Sequence, residues 1–288
     1  MGSLKEIKTR IQSVRSTQKI TSAMKMVSSA KLTKAQRTIS NFYPYQQKMN
    51  QLLQNLLLAK DEEVHSVFAH EREIKHVAIV VFASNGSLCG GFNSNVTKML
   101  HSVLDKYKML NKSDIVLYPV GKKIAKACAK LDYKTLGDFE KLADKPNFDE
   151  FSKEITDGLM HKFENGEVDK VEIIYHHFQS KGSQVLLNET LLPFLLPTVS
   201  KKVSNVDYIV EPDIDTLLFN LIPKVLRITL FTALLDSNAS EHAARLVAMQ
   251  TATDNADDLL SELSTQYNKL RQQAITNELL DIVGGSFA

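Results

Sequence analysis

The feature that most constrains this fold is an unbroken repeat of apolar and small residues in the last quarter of the chain. The residues recur at alternating spacings of three and four, through about six heptads. Neither glycine nor proline interrupts the stretch. An average period of 3.5 keeps one face of a helix against a partner helix and predicts a left-handed supercoil. The seam positions are Thr232, Leu235, Ala239, His242, Leu246, Met249, Thr253, Ala256, Leu260, Leu263, Tyr267, Leu270 and Ala274.

The alternative interpretation of this repeat is the buried helix of a globular domain. Such a helix typically has roughly 8 to 20 residues and carries a wider apolar stripe. The length and the narrow seam of this stretch favour a coiled-coil strand. A coiled-coil strand needs a second helix with the same repeat.

The N-terminal segment from Leu4 to Leu58 supplies that partner, with no glycine and with one proline, Pro44, which predicts a kink. Four successive seam positions in the middle of this segment are polar. In that part, the apolar residues occupy positions next to the seam instead of the seam itself. Two interpretations stay open: a solvated, loosely paired seam, or a helix face that contacts another protein. The polar positions are Gln18, Thr21, Lys25 and Ser28, and the displaced apolar residues are Ile20, Met24, Val27 and Ala30.

The charge of +2 conceals a strong asymmetry between the two ends of the chain. Residues 1–60 carry eleven Lys or Arg and one acid, which gives +10. Residues 211–288 carry five Lys or Arg and eleven acids, which gives −6. Opposite charges favour pairing of the two terminal helices, and the excess of basic residues leaves a positive surface for another partner.

Between the helices the period of the sequence changes. Residues 76–83 form an apolar run that predicts a strand covered on both faces. A glycine-rich turn, 84–93, follows, and Asn93 is the predicted N-cap of the next helix. The further predicted elements are helices at 94–110, 122–131, 148–164 and 213–220 and strands at 114–120, 170–178, 184–191 and 208–210. Alternating strands and helices predict an α/β domain with a partly parallel sheet.

We therefore predict an α/β fold in which a Rossmann-like domain, residues 61–211, is inserted between the two strands of a long antiparallel left-handed coiled coil. The coil consists of residues 1–60 and 212–288. Pro223 is predicted to occupy the first turn of the long C-terminal helix. Both chain ends are expected at the tip farthest from the inserted domain.

The sequence predicts no catalytic, cofactor or metal site. The turn around Gly86 has neither the dinucleotide-binding nor the P-loop pattern, so a structural turn is favoured over a nucleotide site. Cys89 has no identifiable base and is predicted to be a buried small hydrophobe. His176 and His177 are adjacent on a strand and should point to opposite faces. His242 lies on the seam and is predicted to be a packing residue.

Membrane-spanning and nucleic-acid-binding functions are not favoured either. No run of eighteen apolar residues and no apolar signal core is present, so no transmembrane segment is predicted. The basic N-terminal helix suits nucleic acid, but its acidic partner helix and the lack of interleaved aromatic residues weaken that interpretation.

Four motifs resemble the gamma subunit of the rotary F-type ATP synthase, and together they cover the chain from end to end. They lie in the N-terminal helix, in the first strand-to-helix turn, in the middle of the long C-terminal helix and at its end. The motifs are residues 17–27 (TQKITSAMKMV), 88–93 (LCGGFN), 240–249 (SEHAARLVAM) and 275–285 (ITNELLDIVGG).

The resemblance implies a non-catalytic subunit that acts as the central rotor shaft. Its coiled coil would lie inside a ring of three alpha and three beta subunits. Its inserted domain would rest on the membrane rotor ring of c subunits together with the epsilon subunit. The shaft would couple ion-driven rotation of the rotor ring to ATP synthesis or hydrolysis in the catalytic ring. The absence of a transit peptide points to a bacterial protein, peripheral at the cytoplasmic face of the cell membrane.

The resemblance also implies which residues make the contacts. Contacts with the catalytic ring are expected at Met24, Lys25, Arg245, Arg271, Gln272, Thr276 and Glu278. Contacts with the rotor ring or epsilon are expected at Tyr208 and Glu211. Within the coil, Lys25 is expected near Glu241 or an acidic beta-subunit loop, and Met24 beside Arg245.

Departures from the family pattern keep other functions open. Asn85 and Gly86 stand where the family usually has an acidic–basic pair, which leaves the contacts of that turn undetermined. The alternative function is a Rossmann-like nucleotide-binding enzyme that oligomerises through its terminal helices. Nucleotide binding by the purified chain would favour that enzyme. Affinity for nucleic acid that falls steeply with salt would favour a nucleic-acid-binding coiled coil.

Overall fold

The computed structural model describes residues 4–59, 66–194, 210–211 and 213–286. Two long helices, α1 (Leu4–Ala59) and α7 (Ile214–Ser286), flank an α/β region. The chain divides into two compact units. The central unit is Lys31–Ala244, and the terminal unit consists of Met1–Ala30 with Arg245–Ala288. Each long helix contributes to both units, and the units are described separately.

The central unit contains a five-stranded sheet in the order β3-β2-β1-β4-β5. The first four strands run parallel, and β5 pairs antiparallel with β4. This arrangement confirms the predicted Rossmann-like, partly parallel sheet. The strands are β1 (Val77–Phe82), β2 (Ile115–Val120), β3 (Lys134–Thr135), β4 (Lys170–Phe178) and β5 (Gln184–Leu192).

Both faces of the sheet are covered. Alternate residues of β1 enter different hydrophobic clusters, because successive side chains of a strand point to opposite faces. Val77, Ile79 and Val81 pack in the cluster that includes α2 (Phe92–Lys106) and α3 (Lys122–Cys128). Ala78, Val80 and Phe82 pack in the cluster that includes both long helices. All six β1 residues are buried, as the apolar run predicted.

Three short helices complete the central unit on the side of the long helices. They are α4 (Glu140–Asp144), α5 (Phe148–Phe151) and α6 (Asp157–Glu164). A π-helical turn, Ser152–Thr156, joins α5 to α6, so the predicted helix at 148–164 is confirmed with an irregular middle. Single 3₁₀ turns occur at Val67–Ala69 and Lys112–Asp114.

In the terminal unit, α1 and α7 pair antiparallel. Gln18 contacts Asp257, Thr21 contacts Thr253 and Lys25 contacts Gln250, so the position on α7 falls as the position on α1 rises. In this unit, each predicted seam position is buried or half-buried, which confirms the repeat in both helices. The left-handed supercoil remains a prediction from the 3.5-residue period.

Extending this register to Leu4 brings it level with Arg271 on α7. From Arg271 to Ser286, α7 therefore lies level with or beyond the described start of α1. We call this segment the unpaired end of α7, and at a rise of about 1.5 Å per residue it is roughly 22 Å long. Leu4 and the end of α7 at Ser286 therefore lie toward the same end of the terminal unit but are not level, and the expected position of both chain ends far from the inserted domain stays a prediction.

Both long helices continue through a proline, and the predicted position of Pro223 is wrong. A single helix, α7, includes the predicted short helix at 213–220 and continues without a break into the long C-terminal helix, so Pro223 lies inside α7 rather than in its first turn. Pro223 forfeits the bond to the carbonyl of Phe219, but buried Ile222 and Val225 on either side keep the helix packed. Helix α1 likewise continues through Pro44, and the kink there remains a prediction.

Among the described residues, α7 is the one helix long and apolar enough to cross a membrane by length and composition. Of its most apolar 18-residue window, 61% is buried inside the structure. Packing against the sheet and α1 accounts for much of this apolar character. The predicted strand at 208–210 falls mostly outside the described residues, and Val210 is not in a strand.

Candidate interaction surfaces

The polar part of the α1 seam is paired within the terminal unit. Thr21 Oγ1 and Thr253 Oγ1 are 2.9 Å apart and buried. Gln18 Nε2 donates to Asp257 Oδ1 at 2.6 Å, and Lys25 Nζ donates to Gln250 Oε1 at 2.9 Å. A buried polar group without a partner is costly, and these contacts avoid that cost. The seam is therefore hydrogen-bonded between the two helices, and both interpretations of its polar positions stay predictions.

Lys25 has a hydrogen-bond partner on α7. Its ammonium donates to the neutral amide of Gln250, and its expected position near Glu241 or an acidic beta-subunit loop stays a prediction. Gln250 in turn donates to Asp254 Oδ1 at 2.6 Å, so the nearest carboxylate on α7 is reached through one amide. The predicted contact between Met24 and Arg245, both half-buried, remains a prediction.

The outer face of α1 in the same stretch is apolar and basic. Ile20 is 60% exposed, Met26 65% and Val27 57%. Large exposed apolar side chains that lie close together are typical of protein interfaces. Beside them an open groove of about 550 Å³ is lined by Lys8, Ile11, Gln12, Arg15, Ser16, Lys19 and Tyr267. The groove has three cations in its wall and therefore favours an acidic partner.

The unpaired end of α7 carries the four polar residues predicted to touch the catalytic ring, and all four are exposed. Thr276 Oγ1 donates to the Gln272 carbonyl at 2.9 Å, inside the helix. Five large apolar side chains are exposed around them: Ile275, Leu279, Leu280, Ile282 and Val283. A helix that is apolar on several sides is normally buried. This end of α7 is therefore a candidate surface for contact with another chain.

The sequence analysis did not single out these five apolar residues. The signal was present, because the seam ends at Ala274 while apolar residues continue through Val283 without its spacing. The second predicted contact region is less well defined. Glu211 is exposed, whereas Tyr208 lies outside the described residues.

The glycine-rich turn after β1 is closed by its own side chains. The Asn93 carboxamide Oδ1 accepts hydrogen bonds from the Ser84 backbone N–H at 3.1 Å and from the Ser84 hydroxyl at 3.0 Å. Asn93 is therefore not the N-cap of α2, because its side chain points back to the end of β1. The N-cap is Gly91. Cys89 is buried, as predicted.

Asn85 ties this turn to the next elements. Its side-chain Nδ2 donates to the Glu140 carbonyl at 2.7 Å, and its Oδ1 accepts from the Lys122 backbone N–H at 2.8 Å. Gly121 follows β2 with φ +116°, and a Cβ there would lie 2.2 Å from the Ala83 carbonyl oxygen, so only glycine fits. The turn is a packed joint between strands, which supports the structural interpretation over a nucleotide site.

The adjacent histidines of β4 point to opposite faces, as predicted. The His176 ring stacks on Phe92 with centroids 4.2 Å apart, and burial lowers its pKa to about 4. His177 Nδ1 lies 2.6 Å from Asp236 Oδ2 on α7. Among the described residues, no group of three or more His, Cys, Asp or Glu is arranged to hold a metal ion.

Comparisons with known proteins decide the family. The sequence model of the ATP synthase family matches residues 3–288. The ATP synthase gamma chain of Phocaeicola vulgatus is 56% identical to this chain, and the alignment covers 100% of both. The gamma chain of Bacteroides fragilis is 57% identical, also over 100% of both chains.

This chain belongs to the ATP synthase gamma chain family.

Solved structures of distant proteins share the gamma chain fold. A rotor chain of the Euglena gracilis mitochondrial ATP synthase aligns with a TM-score of 0.64 at 20% identity, covering 94% of this chain and 98% of that one. A chain from the central stalk and c-ring of the Tetrahymena thermophila enzyme aligns with a TM-score of 0.55 at 24% identity, covering 81% and 99%. These matches confirm the predicted fold class.

Membership in the gamma chain family settles the broad class of function. The full-length relatives are gamma chains, so the resemblance found in the four motifs is confirmed and the chain is a non-catalytic subunit. The alternative of a nucleotide-binding enzyme is therefore wrong. All seven residues expected to touch the catalytic ring lie in the terminal unit, in two groups. One group is on the polar seam, and the other is on the unpaired end of α7.

Proposed function

We propose that this gamma chain is the central rotor shaft of an F-type ATP synthase. It couples ion-driven rotation of a membrane rotor ring to ATP synthesis or hydrolysis in a ring of alpha and beta subunits. The observation that carries the proposal is the end of α7, which bears exposed apolar side chains in a chain that aligns with 100% of a gamma chain relative. Exposed apolar side chains that lie close together are typical of a surface that another chain covers.

A single chain inside a ring of three identical catalytic subunits cannot contact all of them in the same way. The contacts that it makes with one beta subunit stabilise one conformation of that subunit, and different contacts stabilise other conformations in its neighbours. When the shaft turns, the stabilised conformations move round the ring. The asymmetric arrangement of charged and apolar residues on α1 and α7 supports this mechanism.

The contacts with the catalytic ring are proposed at two levels of the terminal unit. Arg271, Gln272, Thr276 and Glu278 are exposed on the unpaired end of α7, where they are free of the coil seam. Their polar groups would bond to beta-subunit loops in some rotary states and not in others. At the seam, the ring would meet Met24, Lys25 and Arg245, beside the exposed apolar residues of α1.

Electrostatics support an acidic partner at the seam. The described contact of the Lys25 ammonium is a neutral amide, so its charge is available to a beta-subunit carboxylate. The groove lined by Lys8, Arg15 and Lys19 has the same sign. Charges at the edge of an interface steer and orient a partner more than they strengthen its binding.

The central unit is proposed to rest on the rotor ring of c subunits, together with epsilon, near Tyr208 and Glu211. The exposure of Glu211 supports this contact. The chain would then be peripheral at the cytoplasmic face of a bacterial cell membrane. No nucleic acid and no cofactor takes part in the proposed function.

Co-expression with the alpha and beta subunits of the same enzyme tests the proposal. We expect the three chains to purify together in a 3:3:1 ratio and to hydrolyse ATP as a complex, while the isolated chain binds no nucleotide. Purification of this chain alone, with nucleotide bound to it, would overturn the proposal.

A further inference from the structure

One buried carboxylate joins three elements of the central unit. Asp236 of α7 is 2% exposed. It accepts a hydrogen bond from the Tyr43 hydroxyl of α1, at 3.1 Å to Oδ2 and 3.3 Å to Oδ1. Its Oδ2 also lies 2.6 Å from His177 Nδ1 of β4, at hydrogen-bond distance. Asp236 therefore ties both long helices to the sheet.

Burying a carboxylate in a core of leucines is expensive. Burial raises the pKa of Asp236, against the opposing effect of the bonds from His177 and Tyr43. The neighbours Leu234 and Leu235 are buried in the apolar cluster, so an apolar residue would suit the site by polarity. Replacing buried ion pairs by apolar residues is often neutral or stabilising. Stability alone therefore does not explain this carboxylate.

Hydrogen bonds resist the sliding of packed elements more strongly than apolar contacts do. Apolar side chains repack at modest cost when facing elements shift, and cores tolerate such changes. A carboxylate held by a hydroxyl and an imidazole keeps its bonds at one geometry only, because hydrogen bonds weaken steeply away from their preferred angle. The Asp236 contacts thus resist sliding of α1 and β4 past α7.

Three more polar contacts join α7 to the α/β region. Arg227 Nε donates to Asp157 Oδ1 at 2.7 Å. Asn238 Nδ2 donates to the Ala143 carbonyl at 2.7 Å, and the Ser240 hydroxyl donates to the His176 carbonyl at 3.2 Å. Two of the four contacts, those of Arg227 and Asp236, are charge-assisted and therefore stronger. Of these four α7 residues, Asp236 is the one whose described hydrogen bonds also reach α1.

We propose that Asp236 is a positioning residue for torque, through which twist passes between the sheet of the central unit and both helices of the coil. The proposal rests on the function proposed above, since torque enters the chain at the central unit and leaves it along the coil. Tyr43 connects Asp236 to α1, and His177 connects it to β4. Without these contacts the sheet would remain packed against α7, but the torsional stiffness between the sheet and the two helices would be lower.

Torsional stiffness measured on single complexes tests the proposal. The catalytic ring is fixed to a surface through its beta subunits, and a bead is attached to the central unit at Met109→Cys, a side chain that is 97% exposed in the native chain. With ATP omitted, the bead fluctuates about a rest angle, and the variance of that angle is inversely related to stiffness. Asp236→Leu removes one of two charge-assisted contacts, so we expect the variance to rise by about twofold.

A matched control separates torque transfer from general loss of stability. Glu172 of β4 is also buried and paired, with Lys170 Nζ at 2.9 Å, Asn188 Nδ2 at 3.0 Å and the Tyr107 hydroxyl, but none of these partners is on a long helix. Glu172→Gln should leave the angular variance unchanged. Tyr43→Phe, which removes one hydroxyl, should raise the variance less than Asp236→Leu does, and Asp236→Asn should restore part of the stiffness because it keeps an oxygen acceptor.

The outcomes distinguish this inference from the proposed function. Unchanged variance in Asp236→Leu and Tyr43→Phe complexes that still rotate with ATP would overturn the torque role and leave the shaft function intact. An equal rise in Glu172→Gln would also overturn it, because stiffness would then follow stability. Failure of the native complex to rotate would instead count against the shaft function itself.

Discussion

At the scale of single residues, buried polar side chains in this chain occur where elements join. Thr21 and Thr253 meet in the coil seam, Ser84 and Asn93 close a turn, and Asp236 ties three elements together. His176 is different, because its Nδ1 is buried with no hydrogen-bond partner. Its neutral form is therefore favoured in the folded chain.

The lowered pKa of His176 predicts how stability depends on pH. An unfolded His binds its proton below about pH 6.5, whereas folded His176 does so only near pH 4. The contribution of His176 is fully present above pH 6.5 and is lost as the pH falls toward 4, by at most on the order of 3 kcal/mol. His176→Phe keeps an aromatic ring against Phe92 and should flatten the dependence of the urea midpoint on pH in this range.

The exposed His161 provides the control. His161→Gln should leave the slope of stability against pH as it is in the native chain. A slope that is equal in native and His176→Phe chains between pH 6.5 and 4 would show that another group governs the acid response.

Substitution of the exposed polar residues near the end of α7 should lower the rate of ATP hydrolysis by the assembled complex, although this chain has no catalytic site of its own. Replacing Arg271 or Gln272 by Leu removes a side chain that we propose bonds to the catalytic ring in only some rotary states. ATP turnover of the assembled complex should fall by about tenfold, which corresponds to about 1.4 kcal/mol of barrier. Assembly should be preserved, because both residues are exposed and outside the seam. Steady-state ATPase assays and gel filtration of the complex measure the two effects.

Gln273→Leu, an adjacent exposed residue outside the predicted set, is the matched control. Native turnover in both the Arg271 and the Gln272 variants would contradict the assignment of this region to the catalytic contact.

At the scale of elements, long periodic segments could be predicted and short ones could not. The 3/4 repeats gave α1 and the coiled-coil part of α7, and the apolar run gave β1. Strand β3 has two residues and α4 has five, too few for a period to show. The predicted place of Pro223 in the first turn of a helix was wrong. The prediction used only the local preference of proline, whereas the packing of Ile222 and Val225, which the sequence does not display, keeps Pro223 inside α7.

The contacts of the candidate surfaces could be predicted only in part. The 3/4 repeat predicted which residues line the seam. The repeat did not predict Gln250 as the hydrogen-bond partner of Lys25, because that contact depends on the conformation of a flexible side chain. The sequence predicts Asn93 as an N-cap because asparagine is favoured at that position. In the structure, the Asn93 side chain is instead hydrogen-bonded to Ser84, at the end of β1. Asp236 gave no sequence signal, because its partners are distant in the chain.

A disulfide across the seam tests the predicted pairing of the two helices. Thr21 Oγ1 and Thr253 Oγ1 are 2.9 Å apart, so Thr21→Cys with Thr253→Cys should oxidise to a bond within one chain. The native Cys89 and Cys128 are buried and should not compete. Non-reducing gels at several protein concentrations measure the result. The Lys19→Cys with Thr253→Cys pair, with Lys19 on the exposed face, should not close, and bonds formed only between chains would refute the antiparallel coil.

At the scale of the whole molecule, the two units differ in how they use apolar surface. The central unit closes its apolar residues into clusters on both faces of the sheet. The terminal unit buries a narrow seam and leaves large apolar side chains exposed on α1 and on the end of α7. The central unit therefore has a packed core and some exposed apolar side chains, such as Met109 and Phe219, whereas the terminal unit buries little more than its seam.

Rotation of the chain inside the catalytic ring is the central claim, and observing single complexes tests it most directly. The beta subunits are fixed to glass, and a bead is attached through Met109→Cys, the fully exposed site on the central unit. Burial raises the pKa of the Cys128 thiol to about 11 and shields Cys89, so the label is selective. With ATP, the account predicts one-way rotation in steps of a third of a turn. A bead that stays at one angle while the same complexes hydrolyse ATP at full rate would contradict it.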